Sequence, residues 1–128
     1  MAVEAVLTES FRKRIATHLA GGATLPIVKY MAFGDGGHNP DDDSVIPPSE
    51  AQTALKHEVL RKELTTVRQD DEFSVTGKGT ILGSELQGVT LSEAALVDAE
   101  GNLIGIKNFA PKVKEADERY DISITIRL

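Results

Sequence analysis

The sequence predicts an α+β fold, an N-terminal helix and a second helix packed on a mostly antiparallel β-sheet. Three observations carry this expectation. Leu7, Phe11, Ile15 and Leu19 recur at a helical spacing, and a second stripe of Ala51, Leu55 and Val59 follows Pro47-Pro48-Ser49. From Thr65 onward the pattern changes to the alternation of half-buried strands.

The first helix is flanked by Arg12, Lys13 and Arg14, can be capped by Thr8 in a shorter version, and ends at Gly21-Gly22. Glu9 and Lys13 are spaced as a favourable surface pair. Leu25 to Phe33 is an apolar run bounded by Pro26 and Gly34, of strand length. After the loop Tyr30–Glu50, Ser49 and Gln52 have the spacing of a capping box, and the expected second helix runs from Glu50 to about Leu64 with Glu58 and Lys62 paired on its surface.

In the next run Phe73, Val75 and Ile81 share one parity, and Ser74, Thr76, Lys78 and Thr80 share the other. Gly77 and Gly79 fall on the apolar parity, which leaves room for a neighbouring backbone or chain to pack close. LSEAALVDAEGNLIGIKNF reads as a hairpin, with Gly101 supplying a positive backbone angle in its loop. Tyr120, Ile122, Ile124, Ile126 and Leu128 alternate without a break and make the clearest strand.

At 128 residues the chain has the length of a single domain, 1–128. It has no cysteine, which excludes disulfides, thiolate metal sites and cysteine nucleophiles. A formal charge of -6 opposes the electrostatic footprint of a nucleic-acid binder. The opening residues lack the pattern of a signal peptide, and no run has membrane-spanning length, so a soluble product made in the cytoplasm is expected, with neither membrane nor nucleic acid as partner.

FGDGGHNPDDD offers aspartates where a phosphate loop needs a lysine and a hydroxyl residue at a helix mouth. Asp35, Asp41, Asp42 and Asp43 are hard oxygen donors and therefore calcium candidates, but their spacing differs from that of the helix–loop–helix calcium motif. The plainer reading is a solvated turn, since Asp, Asn, Gly and Pro are the turn residues. HEVLR, from His57 to Arg61, begins like a zinc-protease helix and lacks the second histidine. His18 and His38 sit in no nucleophile-elbow context. No enzyme and no cofactor are expected; a small calcium-dependent binding module is the alternative, and a hydrolase using His38 or His57 ranks below it.

Three stretches together, MAFGDGGHNP, TALKHEVLRKEL and LSEAALVDAEGNLIGIKNFAPKVK, resemble in order and spacing the N-terminal domain of phage tail-collar fibre proteins, from about Tyr30 to Lys114. The resemblance implies a structural part of a phage tail or prophage-derived particle, in the virion. It implies an adaptor that attaches a fibre to the baseplate or collar, with other tail or baseplate proteins as partners and a homo-oligomer, a trimer by preference.

It transfers no catalytic residue. Gly34, Asp35, Gly36 and Gly37 match the family's glycine turn, Glu58 and Arg61 its helix, and Glu93, Asp98, Gly101 and Asn102 its hairpin; these are the structural or interface candidates. Proteins of that family usually continue into a long shaft, whereas this sequence stops at Leu128. That points to a stand-alone adaptor, a truncated fibre or a prophage relic, and leaves a fibre tip's receptor binding behind. The acidic loop is expected as a rigid turn from a strand to the second helix, displayed toward a partner.

Overall fold

A computed structural model describes residues 2–128, and the side chains from residue 5 onward. In chain order the elements are β1 (Ala2–Glu4), β2 (Val6–Leu7), α1 (Glu9–Leu19), β3 (Val28–Gly34), β4 (Glu58–Glu63), β5 (Thr66–Asp71), β6 (Ser74–Ile81), β7 (Thr90–Asp98), β8 (Leu103–Val113) and β9 (Tyr120–Arg127). They form two sheets, of order β1-β9-β6-β5 and β2-β8-β7-β3-β4. Every pairing is antiparallel except that of β1 with β9.

The expected α+β fold with two helices is therefore corrected: the chain is mostly β, two sheets face to face with one short helix beside them. Met31, Phe33, Ala94, Leu96 and Ile104 of one sheet share a buried cluster with Ile81, Ile124 and Ile126 of the other. The glycines of β6 fit this core. A Cβ on Gly79 would stand 2.7 Å from the Met31 sulfur, and one on Gly77 2.7 Å from Leu96 Cδ2. The room they leave is filled by the opposite sheet of the same chain.

The second helix is absent. Between Glu50 and Leu64 the backbone makes a turn and then the edge strand β4, which pairs with β3 from Tyr30↔Glu63 to Gly34↔Glu58. The capping-box residues do interact: the Ser49 N–H donates to Gln52 Oε1 at 2.9 Å. That contact closes a single turn. Helix propensity is a weak prior, and here a ladder of strand hydrogen bonds and the burial of Leu55 outweigh it. Glu58 consequently pairs with Arg61 at 2.8 Å, while Lys62 reaches Glu85 at 2.6 Å, in place of the expected Glu58–Lys62 pair.

Helix α1 forms in its shorter version. Thr8 is the N-cap, accepting from the Phe11 N–H at 3.2 Å while its own hydroxyl donates to the Leu103 carbonyl at 2.8 Å. Of the expected stripe, Phe11 and Ile15 meet the core from the helix, Leu7 meets it from β2, and Leu19 is 78% exposed. The hairpin and the terminal strand form as expected, with Gly101 at φ +90° in the turn. Among the described residues, no helix is long and apolar enough to cross a membrane.

Candidate functional site

The resemblance residues fall into two constellations, both organised by buried carboxylates of β7. Glu93 is fully buried. Its Oε2 accepts from the N–H of Gly36 at 2.7 Å and of His57 at 2.9 Å, and its Oε1 from the N–H of Lys56 at 2.9 Å. Hydrogen bonds to a charged acceptor are about twice as strong as neutral ones, and three of them replace the water that a buried carboxylate loses. Glu93 thus bolts both ends of the loop 35–57 to the sheet.

The glycine turn is what lets the backbone come that close. A Cβ on Gly34 would lie 2.3 Å from the His57 carbonyl oxygen, and one on Gly37 2.1 Å from the Ser92 carbonyl oxygen. The Gly37 N–H donates to Ser92 Oγ at 2.8 Å, and His38 Nδ1 lies 2.7 Å from that same hydroxyl. In mid-loop the Asn108 side chain donates to the Ile46 carbonyl at 2.7 Å, and the Ile46 N–H to the Gly37 carbonyl at 2.9 Å. The loop is thus held to the sheet through its backbone, and it delivers the chain to the strand β4 where a second helix was expected.

The second constellation closes the β7–β8 hairpin. Asp98, almost wholly buried, accepts from the N–H groups of Glu100 and Asn102 at 2.8 and 3.0 Å, and is paired with Arg14 of α1. Arg14 also reaches Glu100 at 3.1 Å, so one guanidinium ties the helix to the hairpin tip. Arg61 lies near that tip, 3.5 Å from the Gly101 carbonyl. Glu58 and Arg61, expected on a helix, are thus edge-strand neighbours.

The four aspartates do not converge. Asp35 pairs with His57 at 2.5 Å, while Asp42 accepts from the hydroxyl and then the N–H of Ser44 at 2.7 and 3.0 Å, which holds its carboxyl below the usual range. These are turn-forming bonds. Among the described residues no group of three or more His, Asp or Glu could hold a metal ion.

Three features escaped sequence reasoning. His38 does meet a serine, but Ser92 is fully buried and its hydroxyl is held by Gly37. Lys114 is fully buried, with its ammonium donating to the carbonyls of Gly83 and Glu115 at 3.3 and 3.2 Å. The third is a groove of about 290 Å³ between β8 and β9, lined by Phe109, Ala110, Tyr120 and Ile122 with Lys107 and Lys112 among its walls. None has a sequence signature, because each depends on how the chain folds back rather than on the spacing of residues along it.

The fold is a mostly β module of two packed sheets with a loop anchored through its backbone. The chain belongs to the phage tail-collar fibre family: the family described as phage tail-collar fibre protein, N-terminal, matches residues 1–128. It is 31% identical over 112 residues to a probable tail fiber protein of Escherichia phage P2, an alignment that covers 87% of this chain and 16% of that protein. The chain thus spans about a sixth of the relative's length, and the match extends on both sides of the Tyr30–Lys114 stretch that carried the resemblance.

Proposed function

We propose that residues 1–128 act as one non-enzymatic attachment unit that joins a tail fibre to the baseplate or collar of a phage tail, as a symmetric homo-oligomer with a trimer preferred. Family membership over the whole chain supports the tail role. The observation that carries attachment is the loop 35–57: its Asp41–Ser44 tip is exposed, yet its backbone is fixed to the sheet by Glu93 and Asn108. A surface held rigid before binding loses little conformational entropy when a partner arrives. Gly34, Asp35, Gly36, Gly37 and Glu93 build this presentation, and Glu58, Arg61 and Gly101 form a second candidate contact beside the hairpin.

Light scattering on a sizing column tests it. A discrete multiple of the 13.8 kDa chain mass, with three preferred, is expected. Replacing Asp41 and Asp43 by asparagine, with Asp42 and its bonds to Ser44 kept, should leave that mass and the melting temperature in place, since asparagine tolerates the left-handed angle at 43, and abolish co-purification of a tail component. A monomer at every concentration that retains no tail component overturns the proposal.

A further inference from the structure

The groove between β8 and β9 exists because the N-terminal strands stop short. β2 pairs with β8 only at Gly105 and Ile106, and β1 with β9 only at Ser123 to Thr125. Beyond those residues the two sheets part at their edges, and Phe109, Ala110, Tyr120 and Ile122 line the opening. Pro111, Lys107 and Lys112 lie on this free stretch of β8, and a proline and lysines there oppose the addition of another strand. At about 290 Å³ the opening lies at the small end of ligand sites, a size for one inserted side chain. The Tyr120 hydroxyl oxygen is buried without a hydrogen-bond partner, and Tyr120 lines the groove.

The same chain carries a matching plug. β5 and β6 are joined by the two-residue loop Glu72-Phe73, where turn chemistry favours Gly, Asn or Asp. Phe73 is 60% exposed there and its backbone is pinned, its N–H donating to Asp71 Oδ1 and its carbonyl accepting from the Leu128 N–H. Asp70, Asp71 and Glu72 precede it, and Glu72 forms no ion pair among the described residues. Lys107, on the groove, likewise forms none. Within one chain the tip lies away from the Tyr120 end of the groove. Ser74 pairs with Arg127 and Ile81 with Tyr120, so they lie at opposite ends of β6, roughly 23 Å apart along the strand.

We propose that Phe73 of one copy inserts into the β8–β9 groove of a second copy of this chain, with Glu72 against Lys107 at the rim. The contact is heterologous, so it generates a closed ring when the rotation between copies closes. It rests on the homo-oligomer reading above and names the surfaces that would build it.

Carbodiimide coupling of a mixture of unlabelled and 15N-labelled native protein, followed by peptide mass spectrometry, should find a Glu72–Lys107 amide that joins one unlabelled peptide to one labelled peptide, which marks it as intermolecular. Phe73→Ser, Glu72→Lys and Lys107→Glu should each lower the assembled mass toward monomer, with at least tenfold weaker association. The double variant Glu72→Lys/Lys107→Glu should recover the mass. Far-UV circular dichroism separates these effects from misfolding. An oligomer indifferent to all three substitutions overturns the Phe73 contact and leaves the attachment reading standing; a monomer at every concentration removes both.

Discussion

At the scale of single residues, the glycines divide by what their missing Cβ would strike. A Cβ on Gly37 meets the Ser92 carbonyl at 2.1 Å, which is backbone in a fully buried stretch of β7 and cannot swing aside as a side chain can. On Gly79 it meets the Met31 sulfur at 2.7 Å, a flexible side chain that can shift. Gly37→Ala should therefore destabilise by about 3 kcal/mol or more, and Gly79→Ala by about 1–2 kcal/mol, in urea unfolding. Glu93→Gln puts an amide N–H₂ among three backbone donors. A loss of about 3 kcal/mol is expected, with faster hydrogen exchange at the Gly36, Lys56 and His57 amides.

Surface carboxylates set the acid limit. The Lys62 ammonium, then the Leu82 N–H, hold Glu85 below its ordinary 4.5, and the Thr80 hydroxyl holds Asp121 below 3.8. A carboxyl depressed in the folded state contributes stability above its unfolded value and loses it as pH falls through the folded one. The melting temperature should thus be flat from neutrality to about pH 5 and decline below that. Glu85→Gln should shallow the acid slope; an unchanged slope would rule out its share.

At the scale of elements, legibility followed locality. β6, the β7–β8 hairpin and β9 were readable because alternation and turn chemistry are properties of neighbouring residues. The Glu50–Leu64 segment was misread for the same reason: its composition favours a helix, and the pairing that overrides it comes from β3, far back in the chain. Of the site, the glycine turn and Glu93 were legible through the family pattern, whereas the clasp of three N–H groups required the fold. The sign of a substitution separates the two conformations. Glu63, exposed on β4 opposite Tyr30, should accept threonine with a gain of about 0.5 kcal/mol, since threonine suits a strand and is a poorer helix former than glutamate.

At the scale of the whole molecule, the two ends of the chain close the sandwich. β1 lies along β9 in one sheet, Ala2 opposite Ser123, and β2 along β8 in the other, Val6 opposite Ile106. Six consecutive residues thus belt both sheets, and the Ala5 N–H continues the belt by donating to the Thr125 carbonyl at 2.9 Å. The belt also covers Gly105, where a Cβ would lie 2.9 Å from both the Ala5 Cβ and Ile126 Cγ2. Removing residues 1–7 should therefore strip a pairing strand from β8 and β9 together and lengthen the free edges beside the groove. With a net loss of about 1 kcal/mol per hydrogen bond, and about 4 °C per kcal/mol at this size, the melting temperature should fall by about 10 °C or more. The exposed edges should also promote association without a fixed stoichiometry. A truncated chain that melts with the intact one would mean that the core between the sheets holds them together without the belt.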